Sequence, residues 1–166
     1  MNSSWLRPVA IARIGLLAAV YIVFTVLPPF SAISYGPVQV RVSEALMVLP
    51  AVTPLAVPAL FLGCFVANLA GGLGPVDLIF GSLATLLAAL IVSRLRNPWL
   101  VPIPTIVINA LVVGTYLPFI LGLPTPLWAS WAYIGLGEMV ATYGLGVPLL
   151  LVLRSRPSLV SLLRGE

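Results

Sequence analysis

An all-α integral membrane protein, a bundle of six transmembrane helices with both termini cytoplasmic, is the fold class this sequence predicts. Three observations predict it: composition, the length of the apolar runs, and the positions of the arginines. Of the 166 residues 61% are hydrophobic and 7% charged, with a mean hydropathy of +1.17, too apolar for a soluble domain. Apolar runs cover residues 8–27, 45–69, 75–93, 99–121 and 128–153, each near the ~20 residues a spanning helix needs. Basic residues in short loops favour the cytoplasm, and three groups of arginine punctuate the runs: Arg7 with Arg13, Arg94 with Arg96, and Arg154 with Arg156 and Arg164.

Placing all three groups on one side turns the five runs into six spans. One span precedes residue 28 and one lies in 75–93, so an even number of crossings must come from residues 38–70. Pro50, Pro54 and Pro58 break that segment, because proline removes a backbone donor and clashes with the preceding turn. Two short helices meeting near Thr53-Pro54 are expected. The loops at 28–43, 71–74 and 122–126 then face outward. No internal repeat is visible, so residues 1–166 read as a single transmembrane domain. Arg7 and Arg13 before an apolar run could open a signal peptide, but Pro28-Pro29 follows without a small-x-small cleavage site, and a retained first span is expected.

Several functions are disfavoured by what the chain lacks. The basic residues are all Arg, and the net charge of +4 sits between or beyond the apolar runs, which topology explains without nucleic acid. There is no G-x-x-x-x-G-K loop for ATP, no His, and one cysteine. Zinc or haem ligation has no ligand set, and Cys64 in apolar surroundings reads as a small buried hydrophobe.

The remaining polar residues are the candidates, since an ionisable group inside a membrane costs roughly 2.5 to 3.5 kcal/mol. Glu138 lies in the last apolar run, where helical spacing places Trp128, Trp131, Gly135, Glu138 and Thr142 on one face. A carboxylate aimed at a ligand and a structural Glu beside an interfacial tryptophan belt both fit. Asn109 shares a face with Thr105 and Tyr116, and Asn68 follows Cys64 by one turn; each amide could bind a ligand or simply bond across helices. Asp77 follows Gly74-Pro75, where an acid also complements a helix dipole. Arg41 and Glu44, in QVRVSE, could form a local ion pair or rim an outer pocket. Gly15 and Ala19 offer a small-residue face on a first helix that carries no evident functional polar group, a candidate docking surface.

Taken in order, the blocks QVRVSEALMVLP (39–50), GCFVAN (63–68), GGLGPVDLIFGSLATLLAAL (71–90), Ile108-Asn109-Ala110, GLGE (135–138) and YGLGVP (143–148) resemble the QueT family. These are the integral membrane substrate-binding (S) components of energy-coupling factor (ECF) transporters for queuosine precursors. The resemblance implies a multi-pass subunit of a prokaryotic cell membrane, with no cofactor of its own. Its partners would be a transmembrane coupling (T) component and two ABC ATPases that use ATP. It implies a 7-deazaguanine ligand, whose ring N–H and exocyclic amine a carboxylate such as Glu138 or Glu44 can accept. Trp131 would stack on the ring, Asn109 donate to its carbonyl, and Asp77 neutralise an aminomethyl ammonium. It also implies docking through small residues of the first helix, commonly Ala-x-x-x-Ala, for which Gly15 and Ala19 stand in. The alternatives are an S component for another heteroaromatic vitamin and, in a different class, a small intramembrane enzyme using Glu138 as general base.

Overall fold

The apolar runs fold as helices, broken where proline and glycine break them. The computed structural model describes residues 8–35 and 39–164. Arg7, the two chain ends and residues 36–38 of the 28–43 loop lie outside the described residues. Helix α1 (Pro8–Val26) is followed by the single turn α2 (Ser31–Ser34), a ten-residue 3-10 helix (Val42–Ala51) and α3 (Ala56–Gly71). A π turn (Asp77–Gly81) leads into α4 (Ser82–Val92), and α5 spans Pro102–Leu121. Helix α6 (Leu127–Met139) continues through a second π segment (Val140–Gly146) into α7 (Val147–Arg154), and α8 (Pro157–Arg164) follows. No strand occurs among the described residues.

Among the described residues three helices are long and apolar enough to cross a bilayer: Pro8–Val26, Pro102–Leu121 and the continuous Leu127–Arg154. Three more are apolar but shorter: Val42–Ala51, Ala56–Gly71 and Asp77–Val92. Their outer faces are apolar, with Leu16, Val23, Leu62, Leu87, Leu111, Phe119 and Leu136 all exposed, and the buried residues include most of the polar ones. That inversion of the soluble pattern marks a membrane protein.

The break expected near Thr53-Pro54 is present, but the segment before it is a 3-10 helix. Pro50, next to the end of that segment, has no backbone N–H to donate, and the helix ends at the following residue, Ala51. A 3-10 helix rises about 2.0 Å per residue, so ten residues reach about 20 Å. The segment is buried nearly all round, from Ser43 through Pro50 apart from Leu46, and it packs against α1, α3, α4, α7 and the second π segment. It is the central element, with Met47, Val48 and Leu49 in the main apolar core beside Leu60, Cys64, Ala88, Val92 and Leu150.

Small residues set how closely its neighbours approach. A Cβ on Gly63 would lie 2.9 Å from Tyr21 Cβ and 3.1 Å from the Ala18 carbonyl oxygen, so α1 and α3 cross in backbone contact there. On Gly146 it would lie 2.9 Å from Val48 Cγ1 and 3.0 Å from the Ala45 carbonyl oxygen, fixing the second π segment against the 3-10 helix. Left-handed glycines end α3 (Gly72, φ 68) and α5 (Gly122, φ 62), where residues with a Cβ are disfavoured.

The two ends of the bundle differ. At one end Arg154 Nη1 donates to the Arg96 carbonyl at 2.6 Å, Arg164 Nε to the Val52 carbonyl at 2.9 Å and Thr53 Oγ1 to the Leu163 carbonyl at 3.3 Å. At the other, Tyr35 Oη donates to the Ala67 carbonyl at 2.7 Å, and the Val40 amide to the Ile33 carbonyl at 2.9 Å. Two of the three arginine groups thus meet at one end, away from the loop that precedes Arg41.

Gly63→Ala is expected to lower stability by about 1 to 3 kcal/mol through overpacking. Gly15→Ala, which meets nothing within 4 Å, should leave stability unchanged or slightly raised. Thermal unfolding of the detergent-purified variants checks both.

Candidate functional site

Arg41 ends the extended stretch that enters the 3-10 helix, with φ −87 and ψ 106, so its side chain turns inward with the first turn of that helix. It is buried, and its guanidinium sits 5.4 Å from the Tyr35 ring centroid. Nε donates to the Ser34 carbonyl at 3.2 Å and Nη1 to Asn68 Oδ1 at 2.9 Å, while Nη2 has no partner. Glu44 is 1% exposed; one oxygen accepts from the Tyr21 hydroxyl of α1, and Oε2 has no partner. Arg41 and Glu44 therefore do not hydrogen-bond each other, and the local ion pair gives way to partners from other helices.

Asn68 connects Arg41 to the next element. Its Nδ2 donates to the Asp77 carbonyl at 3.2 Å and to Cys64 Sγ at 3.4 Å. Asp77 begins the π turn, fully buried, and Oδ1 accepts from the Tyr116 hydroxyl of α5 at 2.7 Å while Oδ2 is unpaired. It makes no side-chain cap to its own helix; its one bond goes across the bundle. A Cβ on Gly81 would lie 2.9 Å from Asn68 Nδ2, 2.9 Å from the Tyr116 hydroxyl and 3.3 Å from Asp77 Oδ1, so the missing side chain is what lets these three converge. Cys64 is buried and receives Thr85 Oγ1 at 3.2 Å, the inert packing role expected of it.

Glu138 and Asn109 form the other half. Asn109 Nδ2 donates to Glu138 Oε1 at 2.8 Å, and Asn109 Oδ1 and Glu138 Oε2 are both unpaired. The NH₂ group expected to read a ligand carbonyl is thus already committed, and Asn109 presents an acceptor instead. Gly137, next to Glu138, packs on the backbone two residues before Arg41, which brings the two halves together at the start of the 3-10 helix. A Cβ there would collide with the backbone carbonyl of Gln39, and this contact holds the chain entering Arg41 against α6.

Sequence reasoning missed three contributors, Tyr21, Thr25 and Gln39. Tyr21 is fully buried and supplies the hydroxyl to Glu44, with Thr25, four residues on, donating to Ser43 Oγ at 2.6 Å. The first helix is therefore not without functional polar groups; two hydroxyls four apart in an apolar run were the available signal. Tyr116 had been placed on the Asn109 face but without its partner Asp77. Gln39 Nε2 and Thr105 Oγ1 are both buried and unpaired.

The tryptophans stand apart from this cluster. Trp131 is 36% exposed and its indole donates to Thr115 Oγ1 at 3.0 Å. Its backbone lies against Gly114, where a Cβ would come within 3.1 Å of its Cα. Trp128 is 71% exposed. Gly15 and Ala19 are exposed on α1, away from Tyr21.

Among the described residues, the buried side-chain atoms without a hydrogen-bond partner are Gln39 Nε2, Arg41 Nη2, Glu44 Oε2, Asp77 Oδ2, Thr105 Oγ1, Asn109 Oδ1 and Glu138 Oε2. Leaving one such atom unsatisfied costs about 1 to 3 kcal/mol, more if charged, and native folds keep few of them. Four are acceptors, two are donors and one is a hydroxyl, so the group suits a small ligand rich in N–H donors. A cavity of about 320 Å³ lined by Asn68, Leu69, Gly72, Gly74, Pro75 and Leu78 adjoins it at Asn68. No group of three or more His, Cys, Asp or Glu able to hold a metal occurs among the described residues.

The Tyr21 bond to Glu44 is open to a double-mutant cycle. Tyr21→Phe is expected to cost roughly 1 to 3 kcal/mol, and less than about 1 kcal/mol when Glu44 is already Leu. Equal losses in both backgrounds, read by thermal unfolding, would show that the hydroxyl acts elsewhere.

Comparisons with known proteins match this chain at the level of family. The model described as QueT transporter matches residues 11–155. The queuosine precursor transporter QueT of Lactococcus lactis subsp. cremoris (strain MG1363) is 37% identical over 93 residues, 54% of this chain and 54% of that protein. The match therefore spans about half the length of that relative. No solved structure matches.

Proposed function

The chain belongs to the QueT transporter family, and from that premise we propose that it is the substrate-capture subunit of an ECF-type importer, binding a 7-deazaguanine precursor of queuosine. The observation that carries the reading is the set of seven buried side-chain atoms without a hydrogen-bond partner among the described residues. An aminomethyl-7-deazaguanine offers ring N–H groups, an exocyclic amine and an ammonium as donors, and a ring carbonyl as an acceptor. Glu138 Oε2 and Asn109 Oδ1 accept from one edge of the ring, while Glu44 Oε2 or Asp77 Oδ2 takes the ammonium. Arg41 Nη2 and Gln39 Nε2 donate to the carbonyl. Three carboxyls against one guanidinium favour a cationic ligand, and hydrogen bonds to charged groups contribute about 1.5 to 3 kcal/mol each. Asn68 holds Arg41 in place, and Trp131 stacks on the ring if its indole leaves Thr115.

Six crossings fit the proposal. The 3-10 helix and α3 form the second and third, the arginine end faces the cytoplasm, and the loop before Arg41 faces outward. The protein is a transport subunit and not an enzyme, multi-pass in a prokaryotic cell membrane. A T component and two ABC ATPases supply the ATP-driven step, and the T component docks on Gly15 and Ala19 of α1.

Calorimetry on purified protein with the aminomethyl- and cyano-deazaguanines, queuine, riboflavin, thiamine and biotin tests the ligand. The aminomethyl compound should bind at least about tenfold more tightly than the cyano one, and Glu138→Gln should weaken it at least about tenfold, the loss of one charge-assisted bond. Binding of a control vitamin instead would overturn the substrate while leaving the family intact. In the same assay Trp131→Phe separates stacking from α5–α6 packing: a loss under about threefold removes Trp131 from the site.

Docking is tested separately. Gly15→Leu with Ala19→Leu should abolish co-purification with a co-expressed T component and leave ligand affinity unchanged, because neither residue reaches the buried cluster. Unaltered co-purification would move the docking face off α1.

A further inference from the structure

The arginine end of the bundle contains a second concave site, remote from the buried cluster. A cavity of about 740 Å³ opens between the turn after the 3-10 helix and the end of α4, lined by Val52, Pro54, Ser93, Arg94, Arg96 and Arg164 among others. Among the described residues no carboxylate lines it; Glu44, Asp77 and Glu138 are all in the other cluster. The cavity wall is fixed by its own contacts. Arg164 Nε is held on the Val52 carbonyl at 2.9 Å, which uses one of its five N–H groups, and the Arg96 carbonyl is held by Arg154 at 2.6 Å. Three arginines line one concavity, and guanidinium groups bind phosphate in a planar, bidentate fashion.

Helix α8 says which kind of phosphate. It buries none of its residues fully, yet it is sharply two-sided. Val160 and Leu163 pack on the core, Leu159 and Leu162 are 41% and 63% exposed, and Arg164 closes the helix at the cavity. A short helix with leucines outward and its basic end over a cavity is the arrangement of a segment lying in the membrane interface. An acyl chain against Leu159 and Leu162 and a phosphate among the arginines would belong to one molecule.

We propose that this cavity binds the phosphodiester of an anionic phospholipid, with Arg94, Arg96 and Arg164 as its ligands and the outer face of α8 as the seat of its acyl chains. The site is independent of the deazaguanine reading, since it shares no residue with it. A lipid held here ties α8 to the turn at Val52 and to the end of α4, adding to the two hydrogen bonds that already join α8 to that turn.

Native mass spectrometry of the detergent-purified protein with equimolar phosphatidylglycerol and phosphatidylcholine tests the proposal. The unmodified protein should retain phosphatidylglycerol at least about tenfold over phosphatidylcholine, and Arg94→Gln/Arg96→Gln/Arg164→Gln should bring the two near parity. Arg13→Gln/Arg156→Gln, which removes two charges outside the cavity, should keep the preference; an equal loss there would reduce the effect to net charge and overturn the site. Millimolar glycerol phosphate should not displace the lipid, and displacement would show a site for a free anion in place of a lipid. If the triple variant unfolds, as judged by thermal melting in neutral lipid, Arg96→Gln alone carries the test. A preference unchanged in that variant refutes the assignment, as does a lack of preference in the unmodified protein.

Discussion

A guanidinium and three carboxyls buried in an apolar bundle must be supplied with partners, and that constraint organises the structure. Moving a charged group out of water is costly unless hydrogen bonds replace its hydration. Arg41 draws on α2 and α3, Glu44 on α1, Asp77 on α5, and Glu138 on α5. Each polar side chain thereby ties together two elements that apolar packing alone would leave free to slide. The partners cover only half of the need, since one oxygen of each carboxyl and one nitrogen of Arg41 remain unpaired.

The irregular backbone follows from the same constraint. Arg41 and Glu44 enter on a 3-10 helix, Asp77 opens a π turn, and Glu138 sits one residue before α6 gives way to a second π segment. Such departures from the α-helix are short-lived elsewhere and concentrate where side chains must be re-aimed. Here glycines at 81, 137 and 146 permit them, each where another backbone or a polar side chain comes into contact. Apolar residues provide the remaining adhesion, with the core cluster of Met47, Leu60, Val92 and Leu150 lying between the polar cluster and the arginine end.

The two ends of the bundle have different chemistry because their charges differ in kind. Acids and amides, tightly buried, gather below the loop that precedes Arg41. Arginines, exposed and without carboxylates beside them among the described residues, gather around the turn at Val52 and under α8. The first end therefore offers mostly hydrogen-bond acceptors, and the second offers positive charge.

Membrane character, the family, the proline break near Thr53 and the short roll of polar residues worth attention were all legible in the sequence. Each depends on composition or on local spacing, and a bilayer makes nearly every internal polar residue conspicuous. The partners were not legible. Arg41 and Glu44 are three residues apart and read as a pair, yet they bond to residues 27 and 23 positions away respectively. Asn109 and Glu138 are both conspicuous in the sequence, but their bond to each other, which turns Asn109 from a donor to an acceptor, depends on how α5 and α6 cross. Trp131 shares the helical face of Glu138 by spacing, but the crossing at Gly114 leaves it at the edge, while Tyr21 looked like one more apolar residue until Gly63 let α3 close on it. Hydropathy and spacing determine what is buried; which buried atom meets which is decided by helix crossings, 3-10 and π register shifts, and the few glycines that let backbones touch, because those act across the bundle and not along the chain.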